Sequence, residues 1–187
     1  MPLGISGLLL WLSASAAFAA AWTIDDLMHA LGENRLVSVA YTERKELAAL
    51  SAPLETVGTM TFKAPNYLKK VVTKPHWESY EISGDQVTIN GDDGQQRLSL
   101  SEHPPIRAFV ESLRATLAGD AAALQRYYRV TLVGDSPSWT LRLDPLDDEM
   151  AQYVETIVIR GHQGRIVSID THETNGDRSV VTIESVP

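Results

Sequence analysis

The stretch Ser138-Trp139-Thr140-Leu141-Arg142-Leu143 sets Trp139, Leu141 and Leu143 on one side of an extended chain and Thr140 and Arg142 on the other. Successive side chains of a strand point to opposite faces, so this period of two specifies a sheet with one apolar face and one wet face. The same reading extends outward. Val130 to Val133, Tyr153 to Arg160, Arg165 to Asp170 and Arg178 to Ile183 read as further strands. Towards the N-terminus, Val37, Val39 and Tyr41 alternate with Ser38, Ala40 and Thr42, and Gly58, Met60 and Phe62 share one face of a strand from about Thr56 to Lys63. Between these two, Lys45 to Pro53 has no clean period and reads as a mobile connection. After a Pro65-Asn66 turn come Tyr67 to Thr73, Ser79 to Ile82, Val87 to Ile89 and Arg97 to Leu100, with turns at Ser83-Gly84-Asp85 and Gly91-Asp92-Asp93-Gly94. Short strands joined by short turns describe an antiparallel meander.

Helical signals bracket and interrupt these strands. Thr23, three residues before Asp26, carries a capping pattern, and Ile24, Leu27, Met28 and Leu31 then fall on one face ahead of Gly32. Pro104-Pro105 ends the first run of strands and opens a helix, since proline tolerates the first helical turn but cannot donate into a ladder. Ile106, Phe109, Val110, Leu113 and Leu117 recur at steps of three and four, Gly119 closes that helix, and Asp120 caps another running to Tyr127 or Tyr128. The expectation is one long meander with a helical insert in its middle, an α+β domain.

The 187 residues are 44% hydrophobic and 21% charged, which suits one globular domain. Lys and Arg number 16 against 24 Asp and Glu, a net charge of -8, and nucleic-acid backbones repel such a chain. No nucleic-acid partner is expected. The absence of cysteine excludes disulfide scaffolds, thiolate metal sites, thiol nucleophiles and a lipid-modified N-terminal cysteine. At the start, Leu8-Leu9-Leu10-Trp11-Leu12 is too short to cross a bilayer and runs into Ala17-Phe18-Ala19 and Ala19-Ala20-Ala21, both A-x-A cleavage patterns. Residues 1–21 read as a secretory signal peptide lacking a basic n-region, and 22–187 as a single unanchored domain.

Catalytic patterns are missing: no G-x-S-x-G, S-x-x-K, H-E-x-x-H, P-loop or G-x-G-x-x-G occurs. Asp170 and His172, with Glu173 beside them, form the best acid/base or metal candidate, and a solvated strand face near the edge of the sheet accounts for them more simply. Asn90 to Gly94 lacks the calcium-loop spacing and reads as a hairpin turn. Lys69, Lys70 and Lys74, near Tyr67 and Trp77, read as an outer strand face that keeps an edge soluble. No metal, cofactor or enzymatic activity is expected.

Several of these segments resemble the LolA-type periplasmic carriers of outer-membrane lipoproteins. The resemblance lies in Tyr41-Thr42-Glu43, in Gly58-Thr59-Met60-Thr61-Phe62-Lys63-Ala64-Pro65-Asn66, in Glu81-Ile82-Ser83-Gly84-Asp85, in Trp139 to Leu143 and in Glu173-Thr174-Asn175-Gly176-Asp177-Arg178-Ser179. The order of parts agrees over nearly all of Trp22 to Ile183. The resemblance implies a strongly curved antiparallel sheet, an incomplete β-barrel, covered by lid helices that enclose a cavity for acyl chains. On that reading the cavity is lined by Val37, Val39, Tyr41, Met60, Phe62, Leu98, Leu100, Trp139, Leu141, Ile157 and Ile159 from the sheet, and by Phe109, Leu113 and Leu117 from the lid. The same side chains would also serve as a solid core, because alternation specifies a buried face without saying what it touches.

The family commonly places an arginine just before the Pro-Asn turn to fasten the lid. Here Ala64 stands there, with Lys63 beside it, and lysine lacks the planar multi-donor fork. The latch is therefore missing or rebuilt. The implied ligands are acyl chains of a lipoprotein or another lipid, with an inner-membrane donor and an outer-membrane acceptor protein as further partners, and a monomer is the simplest shuttle. The alternative from another class is a lipid-sensing regulatory module of the same cup shape that acts through protein contacts.

Overall fold

The computed structural model describes residues 22–184; the expected signal segment 1–21 lies outside them. Helix α1 (Ile24–Gly32) carries the expected capping box, with the Thr23 side chain accepting from the Asp26 backbone and the Asp26 carboxylate accepting from the Thr23 backbone. It leads into β1 (Leu36–Glu46), β2 (Leu54–Lys63), β3 (Tyr67–Lys74), β4 (Glu78–Ser83), β5 (Gln86–Gly91) and β6 (Gly94–Ser99). A 3₁₀ turn (Leu100–Glu102), α2 (Pro104–Ala118) and α3 (Ala121–Gln125) follow. The chain then returns to strands: β7 (Tyr128–Asp135), β8 (Ser138–Pro145), a short α4 (Asp148–Ala151), β9 (Val154–His162), β10 (Arg165–Glu173) and β11 (Arg178–Ile183).

All eleven strands form one antiparallel sheet in the order β6-β5-β4-β3-β2-β1-β11-β10-β9-β8-β7. The arrangement differs from one long meander. Two meanders, β1 to β6 and β7 to β11, are joined by pairing of β1 with β11, Tyr41 opposite Ile183 and Glu43 opposite Val181. The segment from Glu43 to Glu46 continues β1, because β2 and β11 pair with it on either side. A loop remains only between β1 and β2.

The helices force the sheet to curve. Eleven strands laid flat would span about 48 Å at a spacing near 4.8 Å. Yet α2, a rod about 10–12 Å across, touches both ends of the order. Its Ala115 and Phe109 join a cluster with α1 residues Leu27, Met28 and Leu31, Leu124 of α3 and Trp139, Leu141, Leu143, Ile157 and Ile159 of β8 and β9. Its Val110, Leu113 and Leu117 join a second cluster with Phe62, Leu68, Val87, Leu98 and Leu100. Edge strands β6 and β7 are the two ends of the helical insert, so α2 and α3 bridge the opening of an incomplete barrel. The expected fold class, α+β with an open curved antiparallel sheet under helices, is the one observed.

Two glycines fix how closely the layers approach. Gly119 ends α2 with φ of 72°, and a Cβ there would collide with the Met28 carbonyl oxygen of α1. Gly161, paired with Trp139 in register, leaves the space that the indole ring fills, and the Trp139 Nε1–H donates to the Gln163 carbonyl at 2.6 Å.

Candidate functional site: the inner face of the sheet

The helix-covered face of the sheet can be followed row by row from the register. Val37 pairs with Phe62, Val39 with Met60 and Tyr41 with Gly58, all on the side that α1 and α2 cover. Of the residues expected to line a cavity, Trp139, Leu141, Ile157 and Ile159 are buried in the cluster with α1, and Phe109 packs against it. Phe62 and Leu100 are buried in the cluster with α2, where Leu98, Leu113 and Leu117 pack against them. Val37, Val39, Met60 and Tyr41 belong to neither. The first three are half-buried and Tyr41 is buried, and half-buried Ile183 lies across from Tyr41. An apolar strip on β11, β1 and β2 thus runs between two packed clusters. Ile106, expected on the apolar face of α2, is instead 46% exposed.

The strip ends in charge. Continuing along the same face of β1, Glu43 is 5% exposed and accepts from Lys70 Nζ at 2.5 Å, Ser179 Oγ at 2.7 Å and Thr56 Oγ1 at 3.2 Å, with Lys45 Nζ at 3.7 Å. Lys70 reaches it diagonally from β3, where Lys70 pairs with Met60, and its ammonium lies 5.2 Å from the centre of the Tyr41 ring. The diagonal crosses β2 at Gly58, which offers no side chain to block it. Tyr80, opposite Lys70 on β4, donates to Glu78 at 2.7 Å.

The electrostatics follow from burial and pairing. Burial works to raise the Glu43 carboxyl, but the Lys70 charge and hydrogen bond, helped by Ser179 and Lys45, outweigh it and hold the group below the usual range. Burial raises the Tyr41 phenol, and burial together with the bond to Glu78 pushes Tyr80 up to about 12. Lys69 faces the other way and pairs with Glu81 at 3.1 Å. The lysines of β3 are therefore not one outer strip. Strand alternation sends neighbours to opposite faces, and β3 is an interior strand of the sheet.

A hydrogen-bonded tie joins α2 to the sheet next to the Lys63-Ala64 position. Lys63 is exposed, and half-buried Ala64 donates its backbone N–H to the Arg35 carbonyl at 2.9 Å. An arginine of α2 reaches the turn that follows Ala64. Arg114 of α2, 6% exposed, donates to the Asn66 carbonyl at 2.8 Å and the Gly84 carbonyl at 2.7 Å, and to Glu111 at 2.7 Å. The guanidinium fork ties α2 to the β2–β3 and β4–β5 turns together. The one signal of it in the sequence is that Arg114 interrupts an apolar helix face, four residues after Val110 and three before Leu117.

Asp170 and His172 lie on the opposite, convex face of β10. Asp170, 3% exposed, accepts two bonds from Arg178 at 2.8 Å each, with His172 Nε2 at 3.1 Å and Arg160 at 3.6 Å. The Arg178 hydrogen bonds hold the Asp170 carboxyl below its ordinary value against the opposing effect of burial, with help from the Arg178, His172 and Arg160 charges. The cluster is not at a sheet edge as expected, since β10 lies between β9 and β11. It is an ion-pair knot that ties three strands. Gly91 to Gly94 closes the β5–β6 hairpin.

The model of a family described as "Outer membrane lipoprotein carrier protein LolA-like" matches residues 15–184. No curated protein sequence matches the chain. Among solved structures, a LolA superfamily protein from Nitrosomonas europaea is similar at 14% identity with a TM-score of 0.47, over 88% of this chain and 93% of that one. A DUF1329 family protein from Desulfovibrio piger follows at 10% identity and a TM-score of 0.45, over 87% of this chain and 90% of that one. The Pseudomonas aeruginosa MucA/MucB complex contains a chain at 14% identity and a TM-score of 0.45, over 88% of this chain and 58% of that one.

Proposed function

The chain belongs to the family of LolA-like outer membrane lipoprotein carrier proteins, and on that premise we propose that it is a periplasmic carrier of lipid-linked cargo. A cleavable leader, residues 1–21, delivers the single domain 22–187 to the periplasm. There the protein takes acyl chains of a lipoprotein or another lipid from an inner-membrane donor and passes them towards an outer-membrane acceptor.

The apolar strip carries this reading. Val37, Val39 and Met60 stay half-buried on the helix-covered face while both neighbouring clusters are packed, so the sheet retains apolar surface that its own core does not use. Hydrocarbon gains about 0.8 kcal/mol for each CH₂ removed from water, so partial cover of one or two chains holds a cargo and still releases it. Displacing α2 would widen the strip to Phe62, Leu98 and Leu100 of the sheet and to Leu113 and Leu117 of α2 itself, whereas Trp139, Leu141, Ile157 and Ile159 stay covered by α1. Transfer of this kind needs neither nucleophile nor metal.

Mass spectrometry of lipid extracted from gently purified protein tests the proposal. Long-chain acyl lipid in about one-to-one ratio is the expected result. Delipidated protein that binds no amphiphile overturns it. A stable complex with a membrane-anchored regulator, without lipid transfer between vesicles, would instead support the sensory reading.

A further inference from the structure

We infer that the end of the sheet carrying the β1–β2, β3–β4 and β8–β9 connections is a lipid-contacting rim, whose apolar tips enter the surface of a weakly charged bilayer. The inference goes beyond the carrier reading and does not depend on the cargo. In a meander alternate connections fall at the same end, and the register fixes which ones. Leu54 pairs with Lys45 where β1 turns into β2, Glu78 pairs with Val72 where β3 turns into β4, and Pro145 and Val154, on either side of α4, pair with Tyr128 and Glu173. Arg178 opposite Glu46 brings the two meanders into line, with the β10–β11 turn at this end too. Nine large apolar side chains stand exposed among the described residues, and five of them, Leu50, Leu54, Trp77, Leu146 and Tyr153, belong to this end, each between 47% and 58% exposed. Apolar residues scattered singly are ordinary on a protein surface, whereas a gathering of them at one end marks a contact.

The β1–β2 loop presents its side chains outward. Leu47-Ala48-Ala49-Leu50-Ser51-Ala52-Pro53 holds no charge, and residues 48–53 are all exposed. The Ala48 N–H donates to Asp177 of the β10–β11 turn at 2.8 Å and the Leu50 N–H to the Leu47 carbonyl at 2.9 Å, so the backbone is held while Leu50 projects. Trp77 and Tyr153 each join an apolar ring to a polar edge, the side chains suited to the boundary between water and hydrocarbon. The tips are set apart, because the polar turn Thr174 to Asp177 stands between the β1–β2 loop and the β8–β9 connection. A rigid protein partner would need a separate pit for each tip, whereas a fluid lipid surface admits them all at once. Charge selects the kind of lipid. Around the β1–β2 and β3–β4 connections Arg44, Lys45 and Lys74 are matched by Glu46, Glu55 and Glu78, while the β5–β6 and β8–β9 connections carry Asp92, Asp93, Asp147, Asp148 and Glu149 and no lysine or arginine. This end therefore repels anionic head groups, and its attachment is apolar. Arg114 ties α2 to turns of the opposite end and leaves the rim to the loops.

Flotation of the delipidated mature protein with phosphatidylcholine vesicles is the test. The unaltered protein is expected to float with them and to stay with them in high salt, and vesicles rich in phosphatidylglycerol should hold it less well. Leu50→Ser/Leu54→Ser, at two exposed positions, should weaken binding by about tenfold or more. Leu36→Ser, at an exposed leucine of the opposite end beside Lys63, should leave binding unchanged. No flotation of the unaltered protein, full binding by the double variant, an equal loss with Leu36→Ser, release by salt, or tighter binding to the anionic vesicles overturns the rim. Sedimentation without vesicles covers the other occupant: a dimer that the double variant abolishes would make a second copy the partner and overturn the inference. None of these results bears on lipid carriage, which the extracted lipid tests by itself.

Discussion

Arg114 donates from α2 to the carbonyl of Gly84 at 2.7 Å, a bond that runs from helix to sheet turn. Its second partner, the Asn66 carbonyl, sits in the turn following Ala64. One guanidinium nitrogen thus joins α2 to the carbonyls of two turns at once.

Arg114→Met should loosen α2 without unfolding the sheet. Two carbonyls lose a charged donor, a cost of about 1–3 kcal/mol, and amide exchange should speed up in α2 and in the turns at residues 64–66 and 83–85 more than in β8 and β9. Arg114→Lys should fall between, since lysine offers no planar fork. Uniform acceleration across the chain would show that Arg114 supports the whole fold rather than the lid.

Val39→Asp places a carboxylate in the middle of the apolar strip. Affinity for a fluorescent alkyl probe should drop by at least tenfold, because charge is poorly tolerated beside hydrocarbon. Leu113→Asp, in the cluster between α2 and β2, β3 and β5, should weaken binding and also lower the melting temperature. Val39→Asp with full binding would place the ligand elsewhere.

Gly161→Ala should be among the most damaging single-carbon changes in the chain. The added methyl overlaps the Trp139 ring and forces it out of the core, for roughly 1–3 kcal/mol. Chemical denaturation measures the loss, and a red-shifted tryptophan emission would report the displaced ring.

Glu43 and Asp170 make stability depend on acid. Both carboxyls sit below their ordinary values in the folded state, Glu43 because Lys70 and its other partners outweigh burial, Asp170 chiefly through Arg178. Groups of this kind contribute their full stabilisation above the unfolded values, near pH 4, and lose it as pH falls through the lower folded ones. The melting temperature should hold from about pH 7 to 5 and fall below about pH 4. Asp170→Asn should lower the plateau and flatten the fall; an unchanged slope would remove Asp170 from the acid response.

The faces of β1, β2 and β8, the first helix with its capping box, the extent of α2 between Pro104 and Gly119, and the family resemblance were all legible in the sequence, because period, caps and breakers are local properties. Pairing of β1 with β11 was not, since it joins residues more than a hundred positions apart and no local period marks it. Nor does alternation tell core from pocket: Val39 and Leu141 obey the same rule, yet one remains half-buried on the strip and the other is sealed against α1. The same holds for charge. Lys69 and Lys70 are neighbours in the chain, and only the pleat, the curvature and the gap at Gly58 send one to the convex surface and bring the other to Glu43. Tertiary structure decides such matters because burial and pairing depend on what lies across the sheet, and that partner is set by the closing of the whole curved layer around α2.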